Sequence, residues 1–160
     1  MIPGKIAQFL EQRANVGFAG TRNRDLVPFG HRVSGWSIAA DGRTMTAFIP
    51  ATSTAGLVES LKESGALALT VEDFPAHETY QFKGRYLRHR PALGDDIGVV
   101  DRIRERFMKS MKTVYPALPG NIAGAFVSQP ELAVEFEVME IYAQTPGPGA
   151  GKRLVPPADA

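Results

Sequence analysis

The chain has 160 residues, 44% of them hydrophobic and 22% charged, an ordinary globular composition. Its 18 basic and 17 acidic side chains leave a net charge of +1, without the basic footprint of a general nucleic-acid binder. The absence of cysteine excludes disulfides, thiol nucleophiles, thiolate zinc sites and iron–sulfur clusters.

A chain of this length suits one domain that buries roughly 70% of its unfolded surface. No apolar run approaches the roughly 20 residues of a membrane span. Gln8 and Glu11 interrupt the stretch a signal peptide would need, so a soluble cytoplasmic domain is expected, with no membrane or nucleic-acid partner. Ile2, Ile6, Phe9 and Leu10 recur at helical spacing and predict a short amphipathic helix. Val16 to Thr21 reads as a strand and Arg22-Asn23-Arg24-Asp25 as a turn. Leu26 to Ile38 reads as one long bent strand, in which Pro28, Gly30 and Gly35 mark an edge or a bulge. Asp41-Gly42 is a hairpin turn and Thr44 to Ile49 the returning strand.

Thr52-Ser53-Thr54 stands before Leu57, Val58 and Leu61 as the N-cap of a short helix that ends at Gly65. Ala66 to Glu72 alternates as a strand. Thr79 to His89 sets Tyr80, Phe82 and Tyr86 on one face and Thr79, Gln81, Lys83 and Arg85 on the other. From Asp95 to Tyr115, Ile97, Val100, Ile103, Phe107, Met111 and Val114 repeat every three or four residues, the stripe of an amphipathic helix. Asp95-Asp96 lies at its positive end. Pro116 to Gly124 is looser, and Leu132 to Ala143 is the last strand, with Val134, Phe136 and Val138 inward. The reading is one domain over 1–145 and an irregular Gly/Pro-rich tail over 146–160. The class is mainly β (α+β), its six antiparallel strands closing into a small barrel with flanking helices.

Chemistry has few footholds. His31, His77 and His89 show no metal-ligand spacing and read as structural or solvated, so no metal is expected. Ser53 lacks the glycines of a nucleophile elbow. Gly147, Gly149 and Gly151 precede no helix and form no phosphate cradle. Thr52-Ser53-Thr54-Ala55-Gly56 can be read two ways, as hydroxyls and helix N–H groups that hold a phosphate or as a plain cap. The polar face Thr79 to Arg85 reads first as a solvated strand face.

The run from Val16 through Arg85 resembles the flavin-binding split barrels related to pyridoxamine 5′-phosphate oxidase. The matching features are Arg32-Val33-Ser34, Asp41-Gly42-Arg43 before Thr44-Met-Thr-Ala-Phe-Ile-Pro50, the short helix, Ala68-Leu-Thr-Val71 and Tyr80-Gln-Phe-Lys-Gly-Arg85. The tail from Gln144 to Arg153 resembles that of small bacterial members. The resemblance implies a six-stranded antiparallel split barrel and a homodimer with flavin mononucleotide (FMN) between its subunits. It assigns ligand contacts to Arg32, Val33 and Ser34, to Ile49, Pro50, Thr52, Ser53 and Thr54, and to Thr79 or Gln81. The oxidases carry an Arg-Lys pair on the phosphate where this chain has Gly56-Leu57, and the oxidase's substrate pattern of arginine and histidine near Trp-Gly is absent. The expectation is a flavin-dependent oxidoreductase acting on a small molecule, not the vitamin B6 enzyme, with no protein acid or base named. The alternative is a non-catalytic or cofactor-less member that binds another planar ligand, a deazaflavin or haem.

Overall fold

Among the described residues, alternating side chains make eight segments of this chain into strands, and the sheet they form curls because one strand changes partner. The computed structural model describes residues 1–117, 119 and 128–155. In order they form α1 (Gly4–Gln12), β1 (Val16–Arg22), β2 (Pro28–Val33), β3 (Gly35–Ile38), β4 (Thr44–Pro50), a 3-10 turn (Ala51–Ser53), α2 (Leu57–Ser64), β5 (Ala66–Asp73), β6 (Glu78–Pro91), α3 (Gly94–Val114), β7 (Pro130–Ala143) and β8 (Arg153–Val155). The strands run β2-β1-β5-β6-β7-β4-β3, all pairs antiparallel, with β8 added to β7.

The two ends of that order, β2 and β3, are neighbours in the chain. Ser34 alone separates them, and its N–H donates to Phe48 O at 2.7 Å. Leu26 to Ile38 is therefore two strands: β2 pairs with β1, and beyond Ser34 the chain crosses to pair with β4. Counting β2 and β3 as one bent strand, six strands make an antiparallel split barrel, mainly β in the α+β class.

Ala19, Trp36, Met45, Leu69, Phe82, Phe136 and Ile141 fill the interior, joined by Ile6, Phe9 and Leu10 of α1 and by Leu57 and Leu61 of α2. On the barrel's outside α3 lays Val100 against Phe48 and Ala133. That approach is close: a Cβ at Gly35 would stand 3.0 Å from Ile103 Cδ1 and 3.1 Å from Val100 Cγ2. Glycine at the start of β3 thus lets the helix lie over the strand break.

Three expectations need correction. Thr52-Ser53-Thr54 does not cap α2, because the chain first makes a 3-10 turn and Gly56, at φ 70°, is the N-cap. The tail is not wholly irregular, since Arg153–Val155 forms β8 on β7. Ile97 and Val114 are 39% and 41% exposed, because the two ends of α3 overrun the surface it covers. Residues 118 and 120–124 of the loose stretch, and 156–160 of the tail, lie outside the described residues. Among those described, no helix is long and apolar enough to cross a membrane.

The start of α3 is held by an ion pair. Arg90 Nη1 and Nη2 donate to Asp96 Oδ2 and Oδ1 at 2.5 and 3.0 Å, and Leu93 N–H donates to Oδ2 at 2.7 Å. The Arg90 hydrogen bond, opposed by partial burial, holds the Asp96 carboxyl below the usual carboxylate range. A depressed pKa in the folded state stabilises above the unfolded pKa, and that stability is lost as pH falls through the folded value. Asp96→Asn is expected to cost about 2 kcal/mol at pH 7, less than a fully buried pair because Arg90 stays partly in water. Urea midpoints should separate the two proteins at neutral pH and converge in acid; a constant gap would refute the linkage.

Candidate functional site

The strand break that closes the barrel also opens a cavity of about 340 Å³ between β1, the end of β2 and α3. Phe18, Val33, Phe74, Phe107, Met111 and Tyr115 give it apolar walls, and among the described residues its charged lining is Arg32 and Arg104. Phe74 stands edge-on to Phe107 with ring centroids 6.2 Å apart, an arrangement aromatic quadrupoles favour. Asn15 fixes that wall: its Oδ1 accepts the Phe74 N–H and its Nδ2 donates to Ser110 Oγ, both at 3.1 Å.

Ser34 brings the one unsatisfied group. It is 8% exposed and lines the cavity, and its Oγ has no hydrogen-bond partner among the described residues. A buried hydroxyl left unpaired costs about 1–3 kcal/mol.

The turn after β4 is built differently from a phosphate cradle. Buried His31 holds it: Nδ1 lies 2.8 Å from Ser53 O, and Nε2 lies 3.1 Å from Thr21 Oγ1, itself 2.7 Å from Ser60 Oγ. Donation from Nδ1–H to the Ser53 carbonyl leaves Nε2 to accept from Thr21. Ser53 Oγ accepts the Arg32 backbone N–H at 2.7 Å, and Thr54 Oγ1 donates to Ala51 O at 3.1 Å. The Leu57 N–H donates to Thr54 O, the Phe29 ring covers Gly56, and Glu59 puts an acid in the first turn of α2. No Lys or Arg occurs from Ile49 to Glu59. These residues do not fit a dianionic phosphate.

The expected site residues therefore separate. Arg32, Val33 and Ser34 line the cavity, and Ser53 touches Arg32 through its backbone. Ile49 is 0% exposed in the barrel core, Pro50 is buried, and Thr52 is exposed on the turn. Thr79 N–H donates to Thr145 Oγ1 and Gln81 Nε2 to Thr70 Oγ1. Gln81 shares a register row with Thr70, Phe18 and Arg32, three strand spacings or about 14 Å from the last. Sequence reading missed Asn15, Phe74, Arg104, Phe107, Met111 and Tyr115 as cavity residues; for Phe107 and Met111 the α3 stripe was the signal, and it read as core. Among the described residues no cluster of His, Asp and Glu could hold a metal.

No sequence-family model and no curated protein matches the chain. Solved structures do. HupZ of Group A Streptococcus superposes with a TM-score of 0.54 at 13% identity, over 94% of this chain and 100% of that one. An FMN-binding protein from Syntrophomonas wolfei gives 0.50 at 16% identity, over 86% and 82%. A protein named as a candidate pyridoxamine 5′-phosphate oxidase from Lactobacillus delbrueckii gives 0.52 at 11% identity, over 89% and 93%. At such identities the likeness speaks for architecture: this chain has the split-barrel fold of FMN-binding and pyridoxamine 5′-phosphate oxidase-like structures.

Proposed function

We propose that the chain binds a planar, anionic ring ligand of the flavin class in the cavity between β1, β2 and α3. The composition of the lining carries the reading: Phe18, Phe74, Phe107 and Tyr115 and the two arginines Arg32 and Arg104 surround one space. The volume of about 340 Å³ falls in the range of small-molecule sites. Aromatic walls favour a flat ring, and two arginines among the described lining residues favour a negative charge on it. Arg32 and Arg104 then take the role that the turn at Thr52 to Thr54 cannot. A bound flavin supplies electron or hydride transfer, while Arg32 and Arg104 orient it, so the finer reading is an oxidoreductase acting on a small molecule.

A second reading follows from the absence of any cation between Ile49 and Glu59: the ligand is a planar molecule other than FMN, a deazaflavin or haem. Phe18, 57% exposed, and Tyr115, 51% exposed, stand on the cavity wall, and a second copy covering them would make the homodimer that the flavin reading expects.

Titration of FMN, riboflavin, a deazaflavin and haem, followed by absorbance and fluorescence, decides between them. Ser34→Ala should leave the unliganded protein as stable or slightly more so, because it removes an unpaired buried hydroxyl. Arg104→Gln should weaken FMN more than riboflavin. If none of the four ligands binds saturably, the reading fails. A monomer by light scattering in the loaded protein would remove the dimer.

A further inference from the structure

A second cleft, of about 290 Å³, shares Ile103 with the first and lies between the end of α1, β3 and α3. Arg102 and Arg106, one turn apart on α3, both line it, as do Ser37 and Trp36. Arg106 sits over the C-terminal end of α1. Its Nε donates to Ala14 O at 3.3 Å, and its Nη2 donates to Ala14 O at 3.2 Å and to Leu10 O at 3.5 Å. Those carbonyls stabilise the guanidinium but do not neutralise it. Among the described residues no carboxylate comes within ion-pair distance of Arg102 or Arg106. Burial, and secondarily the charge of Arg102, hold Arg106 below the ordinary arginine range. Two like charges one turn apart on a helix repel, and among the described residues the one acid on the wall is Glu11, exposed at the end of α1.

We propose that this cleft binds the phosphate group of a small phosphorylated molecule, bridged between Arg102 and Arg106. A dianion relieves the repulsion between the two guanidiniums and gives each a charge-assisted bond. Ser37 adds a hydroxyl on the β3 wall, and the volume beyond a bare phosphate leaves room for the molecule that carries it. The site is separate from the ring cavity and stands whether or not a flavin binds there.

Trp36 is the chain's single tryptophan and lines the cleft, so its emission reports directly on occupancy. Inorganic phosphate is titrated into the full chain at constant ionic strength, with chloride as the counter-series. A saturable change in Trp36 emission is expected with phosphate and not with chloride. Arg102 is exposed and holds no element in place, so Arg102→Gln should keep the fold and weaken phosphate at least tenfold, while Arg102→Lys recovers part of the loss. Glu11→Gln should tighten binding, because it removes the one opposing charge. Arg104→Gln, in the other cavity, should leave the titration unchanged. Three results would overturn the proposal: no saturable change, a change chloride reproduces, or a loss that follows Arg104→Gln instead of Arg102→Gln.

Discussion

Gly84→Ala is expected to be among the most damaging single changes in this chain, costing about 3 kcal/mol, the upper end of what overpacking exacts. A Cβ there would stand 2.2 Å from Glu137 O and 2.6 Å from Phe136 Cδ2. Neither neighbour can yield cheaply. The first belongs to the backbone of β7, and the second to a ring that is 0% exposed in the barrel core. The contact sits where the β6–β7 register shifts: Lys83 faces Glu140 and Gly84 faces Val138, so Met139 is an extra residue on β7. Gly20→Ala is the control, because nothing lies within 4 Å of a Cβ there. Urea midpoints should fall sharply for the first variant and stay near the parent for the second. Equal midpoints would mean that β7 yields at the bulge.

Much of this architecture was legible because local chemistry and tertiary role agree. The α3 stripe of Val100, Ile103, Phe107 and Met111, the Asp41-Gly42 hairpin and the alternation of Ala66–Asp73 each name their element from within. What stayed hidden depends on distant partners. Pro28, Gly30 and Gly35 announce a bend, but nothing local says that the strand leaves β1 for β4 at Ser34; barrel closure decides that. Thr52 to Thr54 has the composition of a cap, yet the chain first makes a 3-10 turn that ends at Thr54, and the left-handed Gly56 takes the capping position instead. β8 escaped notice because its hydrogen bonds depend on a turn at Gly151, φ 82°, that brings Lys152 O to Ala143 N–H.

The candidate site was legible to the same degree and for the same reason. Arg32, Val33 and Ser34 belong to one strand and share its fate, so a resemblance along the chain found them together. The opposite wall comes from α3, whose residues look like any helix face turned to a core. Only the placement of α3 over the break between β2 and β3 turns Phe107 and Met111 from packing residues into cavity walls. Separating those two roles requires a change that affects them unequally.

Phe107 offers that change. The side chain is 7% exposed, meets Phe74 edge-on and lines the cavity, so it serves the fold and the proposed ligand at once. Phe107→Ala should cost about 3 kcal/mol, the low end for a buried ring, because one side already borders open space and leaves fewer contacts to lose. Phe107→Leu keeps most of the volume and should cost less than about 1.5 kcal/mol. Ligand affinity should not follow that order. A flat ring gains from the aromatic face and edge of Phe107, which leucine cannot supply, so both variants should bind at least tenfold more weakly. The ligand-dependent rise in melting temperature should shrink in both, since that rise depends on the ratio of ligand concentration to Kd. If Phe107→Leu binds as the parent does, the ring is not a ligand contact and the cavity is only a packing gap beneath α3. If Phe107→Ala leaves the urea midpoint unmoved, the helix does not rest on that side chain, and the wall it forms could not position a ligand.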